Sequence, residues 1–323
     1  MRIDGLLIVD KPEGITSLDV VREIKRRFSV KKAGHLGTLD PFATGVLPVM
    51  LNEGTKLAPF LEEEPKEYEG VLLFGEETAT DDGTGEVVNR GPWQDLTEDM
   101  IRDAFRAFLG ALDQIPPMFS AVKVQGEPLY RMARKGMDVE RKGRKVHIFD
   151  LHIESLQLPQ IYFRVLCSKG TYIRALGRDI GRTLGCGAHL RHLRRIRSGA
   201  FSLQGAMTWR DVKEFKHVDD LRPWVISPIE ALGKLPEVKG DDHLVRKVRF
   251  GREMVVRDLC SQVLPSFEKG QWVKITSSGE ELVAILRSEI KGGDIQKMHP
   301  EVVALRPLRV FHTQENSRRE GHV

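Results

Sequence analysis

The chain has 323 residues, 41% hydrophobic and 30% charged, proportions of a globular protein that exclude a disordered or membrane chain; its longest apolar runs, such as "GLLIV" and "GVLLF", fall far short of the roughly 18 residues of a membrane span. At roughly 100–200 residues per domain, the length suggests two domains. The net charge of +4 conceals two opposed blocks, three cations against 14 carboxylates over residues 51–100 and 17 Lys and Arg against six carboxylates over 121–200: a nucleic-acid footprint, or solvated cations paired with the acidic block.

The opening "MRIDGLLIVDKPEG" lacks the basic start, long apolar core and cleavage site of an export signal. It predicts a strand, "GLLIVDKP", closed by Pro12. Val20, Ile24 and Phe28, four apart with Val21 beside them, predict a helix over 17–28. Thr16 and Asp19 form its capping box, and Lys25, Arg26 and Arg27 suit its dipole. A glycine-rich segment follows, "AGHLGTLDPFATGVLPVM", whose "TGVLPVML" fits either a short strand or the first turns of a helix. Residues 66–90 predict strands on either side of a polar loop, "TATDDGTG". Met100, Ile101, Phe105 and Phe108 predict an amphipathic helix over 97–109. Residues 118–146 form a long, basic, partly helical excursion. "IYFRVLC" predicts a core strand, and Leu176, Ile180 and Leu184 predict a helix that Gly185 stops. Further on, "FEKGQWVKITSSGEELVAILRSE" alternates like a hairpin around a Ser-Ser-Gly turn. Residues 1–230 and 235–312 are thus expected as two domains, the second small and β-rich, with 313–323 as a polar, disordered tail.

No P-loop, dinucleotide fingerprint or H-E-x-x-H motif is present. Cys167, Cys186 and Cys260 form no C-x-x-C pair, so neither a disulfide framework nor a zinc site is expected, and a reducing cytoplasm is the expected setting. The pairs His147/His152 and His189/His192 lack the carboxylate or cysteine partners of a metal site. What remains is one carboxylate, Asp40, among glycines. Gly34, Gly37 and Gly45 admit unusual backbone angles and close approach of a bulky ligand, and Pro41 biases Asp40 toward an extended conformation. Composition alone fits an Asp-Pro turn as well as a reactive site.

With "DKPEGITS" before it and "SKGTYIRALGRDIG" and "CGAHLRHLRR" after it, the segment "GHLGTLDPFATGVLPV" resembles the TruB family of tRNA pseudouridine synthases, which modify a uridine in the T-loop of tRNA. The likeness runs through residues 3–312. It implies an α+β fold: a catalytic domain with a mixed/antiparallel β-sheet and flanking helices, plus a small C-terminal β-barrel-like PUA domain. It implies Asp40 as the nucleophile, His35 meeting the RNA at the flipped uridine, and Tyr68 stacking on the base where it helps move the C5 proton. Tyr172 would line the pocket, Arg174 would pair with Asp40, Leu193 would close the apolar wall and Lys11 would support the site. No cofactor or metal is implied. The partner is the T-arm of tRNA, gripped by the insertion at 118–146, and a cytoplasmic monomer without an obligatory protein partner is expected.

On an extended segment Tyr172 and Arg174 would share one face, about 6.6 Å apart. An apolar pocket drives a carboxylate toward its neutral form and a guanidinium opposes this. Arg174 as a helix cap or phosphate ligand stays open, as do Tyr68 and Tyr172 as core aromatics. Pseudouridine formation breaks the N1–C1′ bond and joins C5 to C1′, conserving every atom. Attack of Asp40 on C6, its attack on C1′ and removal of a ribose proton all remain compatible. Two other readings persist: an RNA-binding protein without turnover, and the family's guide-RNA-dependent relative, which shares the Gly-His and Leu-Asp-Pro blocks.

Overall fold

Strand β1 (Gly5–Lys11) buries Leu6, Leu7, Ile8 and Val9, as a strand covered on both faces must. The computed structural model containing it describes residues 3–62, 64–137, 139–260 and 262–312; the tail expected over 313–323 lies outside the described residues. Helix α1 (Ser17–Phe28) has the predicted bounds. The Asp19 amide donates to Thr16 Oγ1 and the Thr16 amide to Asp19 Oδ2, and Ser29 ends the helix at φ 50°. After the short β2 (Ala33–His35), the ambiguous "TGVLPVML" is a strand, β3 (Thr44–Leu51). It pairs antiparallel with β1 along its whole length, from Leu51 opposite Gly5 to Gly45 opposite Lys11.

There follow β4 (Lys66–Phe74), β5 (Glu76–Thr78), β6 (Val87–Arg90), α2 (Glu98–Ala107), β7 (Gly110–Gln114), α3 (Leu129–Arg134), β8 (Arg144–Gln157), β9 (Gln160–Cys167), α4 (Ile173–Thr183) and β10 (Ala188–Ser198). The main sheet runs β1-β3-β10-β4-β9-β8-β7. Its parallel neighbours are β3 with β10 and, at the edge, the short strand Met207–Thr208 with β1, while the other neighbours along this path are antiparallel, so the sheet is mixed as expected.

The acidic and basic blocks meet within this fold. Glu67 pairs with Arg164 at 2.9 Å and Arg197 at 2.7 Å, Glu77 with Arg182 at 2.8 Å, and Asp81 with Arg178 at 3.0 Å. Part of the basic excess is therefore neutralised internally. Arg131 and Arg134, by contrast, have no ion-pair partner among the described residues and lie against the Tyr130 ring.

Of the three glycines expected to need special freedom, Gly34 does not: its φ is not in the left-handed region, and Met50 Cε, 3.9 Å away, is all a Cβ would meet. At Gly45 φ is 102° and a Cβ would stand 2.2 Å from the Arg195 carbonyl oxygen. Gly45 therefore makes room for the β10 backbone, not for a ligand. Gly45→Ala is expected to cost about 3 kcal/mol, through overpacking and a strained φ. The check is a lower denaturant midpoint at unchanged m-value; an unchanged midpoint would refute tight β3–β10 contact.

A second sheet is built from β11 (Glu237–Lys239), α5 (Asp242–Arg249), β12 (Met254–Val255), β13 (Trp272–Thr276), β14 (Leu282–Ser288) and β15 (Val303–Val310), in strand order β11-β13-β14-β15-β12. The hairpin of β13 and β14 forms as predicted, but its polar–apolar alternation does not, since Leu282 through Leu286 are all buried. Ala284 and Leu286 pack with Leu244 and Val248 of α5. Leu282 and Ile285 instead join Leu6 and Ile8 of β1, Met50 of β3, Leu57 and Phe311. Both faces of β14 are thus covered, one by its own helix and the other by the main sheet. No helix among the described residues is long and apolar enough to cross a membrane.

Candidate active site

The Asp40 loop is tied down on both sides. Ser17 Oγ, in the first turn of α1, donates to the Leu39 carbonyl at 2.9 Å and accepts from the Leu39 amide at 2.8 Å. The Gly14 amide donates to the Pro41 carbonyl at 2.8 Å, and the Ala43 amide to the Asp40 carbonyl at 3.1 Å. Lys11 is fully buried at the end of β1, with Nζ donating to the carbonyls of Pro12 at 2.8 Å and Pro41 at 3.2 Å. It braces the loop from behind.

Burial pushes the Lys11 amine down to about 8, against the attraction of Asp40. Because its ordinary value is 10.5, the unfolded chain binds more protons above pH 8; stability gains from this residue as pH rises through 8. Cys167, pushed up to about 12 by burial from 9.0, acts in the opposite sense above pH 9. Between about pH 8 and 9, wild-type stability should therefore rise relative to that of Lys11→Met. An NMR titration showing Lys11 ionising with the surface lysines would refute this.

Helix α4 corrects one expectation. Tyr172 is its N-cap residue, at φ −96° and ψ 107°, and Arg174 lies in its first turn, so the two do not share an extended strand. They still reach one cavity, because Cα–Cβ bonds tilt toward a helix N-terminus. The buried Gln114 makes the bonds that a neighbouring strand would: its Nε2 donates to the Tyr172 carbonyl at 3.0 Å and its Oε1 accepts from the Tyr172 amide at 2.8 Å.

Arg174 is 3% exposed and engages all three nitrogens. Nε donates to Asp40 Oδ2 at 2.8 Å, Nη1 to the Thr80 carbonyl at 2.7 Å and Nη2 to the Phe119 carbonyl at 2.9 Å. The alternatives of helix cap and phosphate ligand give way to this arrangement. Buried Asp82 stands 3.7 Å from Nη1 and accepts from Thr80 Oγ1 at 2.7 Å and from the Thr84 amide at 3.0 Å. The polar "TATDDGTG" loop is thus the platform under the Asp40–Arg174 pair. Asp40 itself is 34% exposed, so its carboxylate has a held side and an open side.

The open side faces a cavity of about 1010 Å³ lined by Asp40, Arg174, His35, Tyr68, Tyr172 and Leu193, as well as by Tyr130 and Arg134 of the basic excursion. Every predicted site residue except Lys11 therefore lines one cavity. Gly37, at φ 73°, lines it too, and a Cβ there would meet Arg195 Nη1 and Lys66 Cε, both at 3.2 Å. Burial, with Arg195 assisting, pushes His35 below its ordinary value, leaving it neutral at pH 7. Its Nδ1 is buried with no hydrogen-bond partner among the described residues. Burial pushes the Tyr68 phenol up. Sequence reasoning missed Gln114, Asp82 and Arg195. For Arg195 a signal existed, since in a strand it shares the face of Leu193 two residues earlier.

The chemistry available is that of one oriented carboxylate beside aromatic and apolar walls wide enough for a nucleobase. Comparisons with known proteins agree with that arrangement. The family described as "TruB family pseudouridylate synthase (N terminal domain)" matches residues 25–173, and "tRNA pseudouridylate synthase B C-terminal domain" matches 174–232. The tRNA pseudouridine synthase B of Geobacter sulfurreducens is 48% identical over 96% of this chain and 100% of its own length. That of Syntrophus aciditrophicus is 42% identical over 96% and 99%. Among solved structures, a chain of a Cbf5-Nop10-Gar1 complex is similar with a TM-score of 0.73 and 29% identity, covering 97% of this chain and 86% of that one. With sequence likeness spanning nearly every residue that builds the cavity, the chain belongs to the TruB family of pseudouridylate synthases.

Proposed function

We propose that the protein isomerises uridine to pseudouridine in the T-loop of tRNA, with Asp40 as the nucleophile. The observation that carries this reading is the Asp40–Arg174 pair: a carboxylate fixed at 2.8 Å by a buried guanidinium and open to a nucleobase-sized cavity. The target uridine must leave the RNA stack to reach it, at a cost of a few kcal/mol that phosphate and stacking contacts offset. Tyr68 and Tyr172 supply aromatic surface, Leu193 the apolar wall, and neutral His35 a contact to the RNA beside the extruded base. Lys11 keeps the Asp40 loop in place. Because the isomerisation conserves every atom, the residues of the cavity suffice without a cofactor.

The excursion at 118–146 serves as the T-arm grip, since Arg131 and Arg134 carry charge that no carboxylate among the described residues neutralises. Residues 235–312 are read as a PUA-like RNA-contacting domain beside the catalytic domain of 1–230. The protein works in the cytoplasm as a monomer and needs no protein partner. A guide-RNA-dependent reading draws on the likeness to the Cbf5 complex, but lower identity sets it behind the stand-alone relatives.

The test is incubation of the purified protein alone with a T-arm hairpin tritiated at C5 of the target uridine. Tritium should appear in water. A bound hairpin that releases none would overturn the enzyme reading in favour of a binding protein, and release only after guide RNA and partner proteins are added would favour the other branch.

A further inference from the structure

Arg195 of β10 is the bulkiest fully buried side chain among the described residues. Its Nε donates to the Val46 carbonyl at 2.7 Å and its Nη2 to the Gly37 carbonyl at 2.9 Å. Its Nη1 is also buried, yet has no hydrogen-bond partner within 3.5 Å among the described residues. A guanidinium needed only to brace two carbonyls gains nothing from an idle third nitrogen, because buried donors are almost always satisfied. The idle nitrogen is explained if its acceptor exists only during the reaction.

Strand register supplies the acceptor. Arg195 stands directly opposite Tyr68 across the antiparallel β4–β10 pair, so the two side chains share a face with Cβ atoms about 5 Å apart. Both line the Asp40 cavity. Building on the function proposed above, we propose that Arg195 is a positioning residue for Tyr68: its idle Nη1–H groups hold the Tyr68 oxygen in its anionic form, which then takes the proton from C5.

The step balances. The phenol first loses its proton to solvent. Once C5 has joined C1′, C5 still carries its hydrogen and C6 is doubly bonded to N1; the Tyr68 oxygen takes that hydrogen as a proton, the C–H electron pair forms the C5=C6 double bond, and the C6=N1 pair moves onto N1. N1, freed of the sugar, takes a proton from solvent. Burial opposes the phenolate, and Asp40 and Cys167 act with burial, whereas Arg195 is the leading group that opposes it. The other titratable groups around Arg195 are Lys11, His35 and Lys66, all pushed down by burial with Arg195 contributing. They compete poorly with a permanently charged guanidinium for this role.

The test compares wild type with Arg195→Met and Arg195→Lys in single turnover on two T-arm hairpins, one tritiated at C5 and the other carrying 5-fluorouridine. The fluorinated base has no C5 proton to lose, so its transfer from N1 to C5 reports every step before proton removal. For Arg195→Met, tritium release should slow about 10²-fold, the contribution of a general base. Its rise with pH should move to higher pH, while hairpin affinity and 5-fluorouridine transfer stay near wild type. Arg195→Lys, which keeps the cation, should recover part of the loss, and it carries the same comparison if the methionine variant does not fold. On a Tyr68→Phe background Arg195→Met should slow release no further. Parallel slowing on both hairpins, or additive losses in the double variant, would reduce Arg195 to a structural brace. If the wild type releases no tritium, the proposed function falls and this proposal with it; release indifferent to Arg195 overturns this proposal alone.

Discussion

Asp40→Asn should leave a folded protein that binds the T-arm hairpin and isomerises it at least about 10⁴-fold more slowly in single turnover, as the proposed nucleophilic role of Asp40 requires. The substitution changes charge and nucleophilicity but hardly shape. Arg174 keeps its bonds to the carbonyls of Thr80 and Phe119, with Asp82 still nearby, so the platform survives. Losing a negative charge from a cavity that receives phosphodiester should, if anything, tighten binding. Affinity measured beside tritium release separates the two effects. Release by Asp40→Asn within about tenfold of wild type would exclude nucleophilic attack by Asp40.

Arg174 should show the largest combined effect on stability and activity. Its guanidinium spans Asp40, the Thr80 carbonyl and the Phe119 carbonyl, with Asp82 at its flank. Arg174→Met leaves Asp82 buried without its nearest cation and strands two carbonyls. Breaking a buried charge cluster in this way costs about 3–5 kcal/mol, and turnover should disappear with it. Arg174→Lys keeps the charge but not the planar fork. It should fold, yet lose about 10²-fold in rate, because a small misplacement of a reacting group is costly. Thermal unfolding and single-turnover rates on the same samples decide the matter. A lysine variant with wild-type rate would show that charge alone, rather than the three-way orientation, is what the site requires.

Local chemistry was legible where it acts within a few residues. The capping box of Thr16 and Asp19, the apolar face of Val20, Ile24 and Phe28 and the cations Lys25, Arg26 and Arg27 placed α1, although the left-handed Ser29 that ends it had no signal of its own. The meeting of Asp40 with Arg174 was legible through the family resemblance, across 134 positions of sequence, but the conformation joining Tyr172 to Arg174 was not. The helix begins at Ile173 because a distant Gln114 satisfies the Tyr172 backbone, and no local pattern announces that partner. "TGVLPVML" was ambiguous for a similar reason: a short apolar run becomes strand or helix according to its neighbours, and here β1 decides. Arg195 was hidden by company. Amid Arg191, Arg194 and Arg197 it looks like one more surface cation; the face it shares with Leu193 hinted otherwise, and the register of β10 against β4 places it, fully buried, opposite Tyr68.

The double-sided burial of β14 has a mechanical meaning. Its Leu282 and Ile285 share a core with Leu6, Ile8 and Met50, so the second sheet cannot swing away from the first without opening an apolar seam. A cut in the segment before β11 would leave each fragment with a bare hydrophobic wall, inviting aggregation. The intact chain instead behaves as a rigid caliper, with the second sheet held at a set span from the sheet that carries the Asp40 cavity.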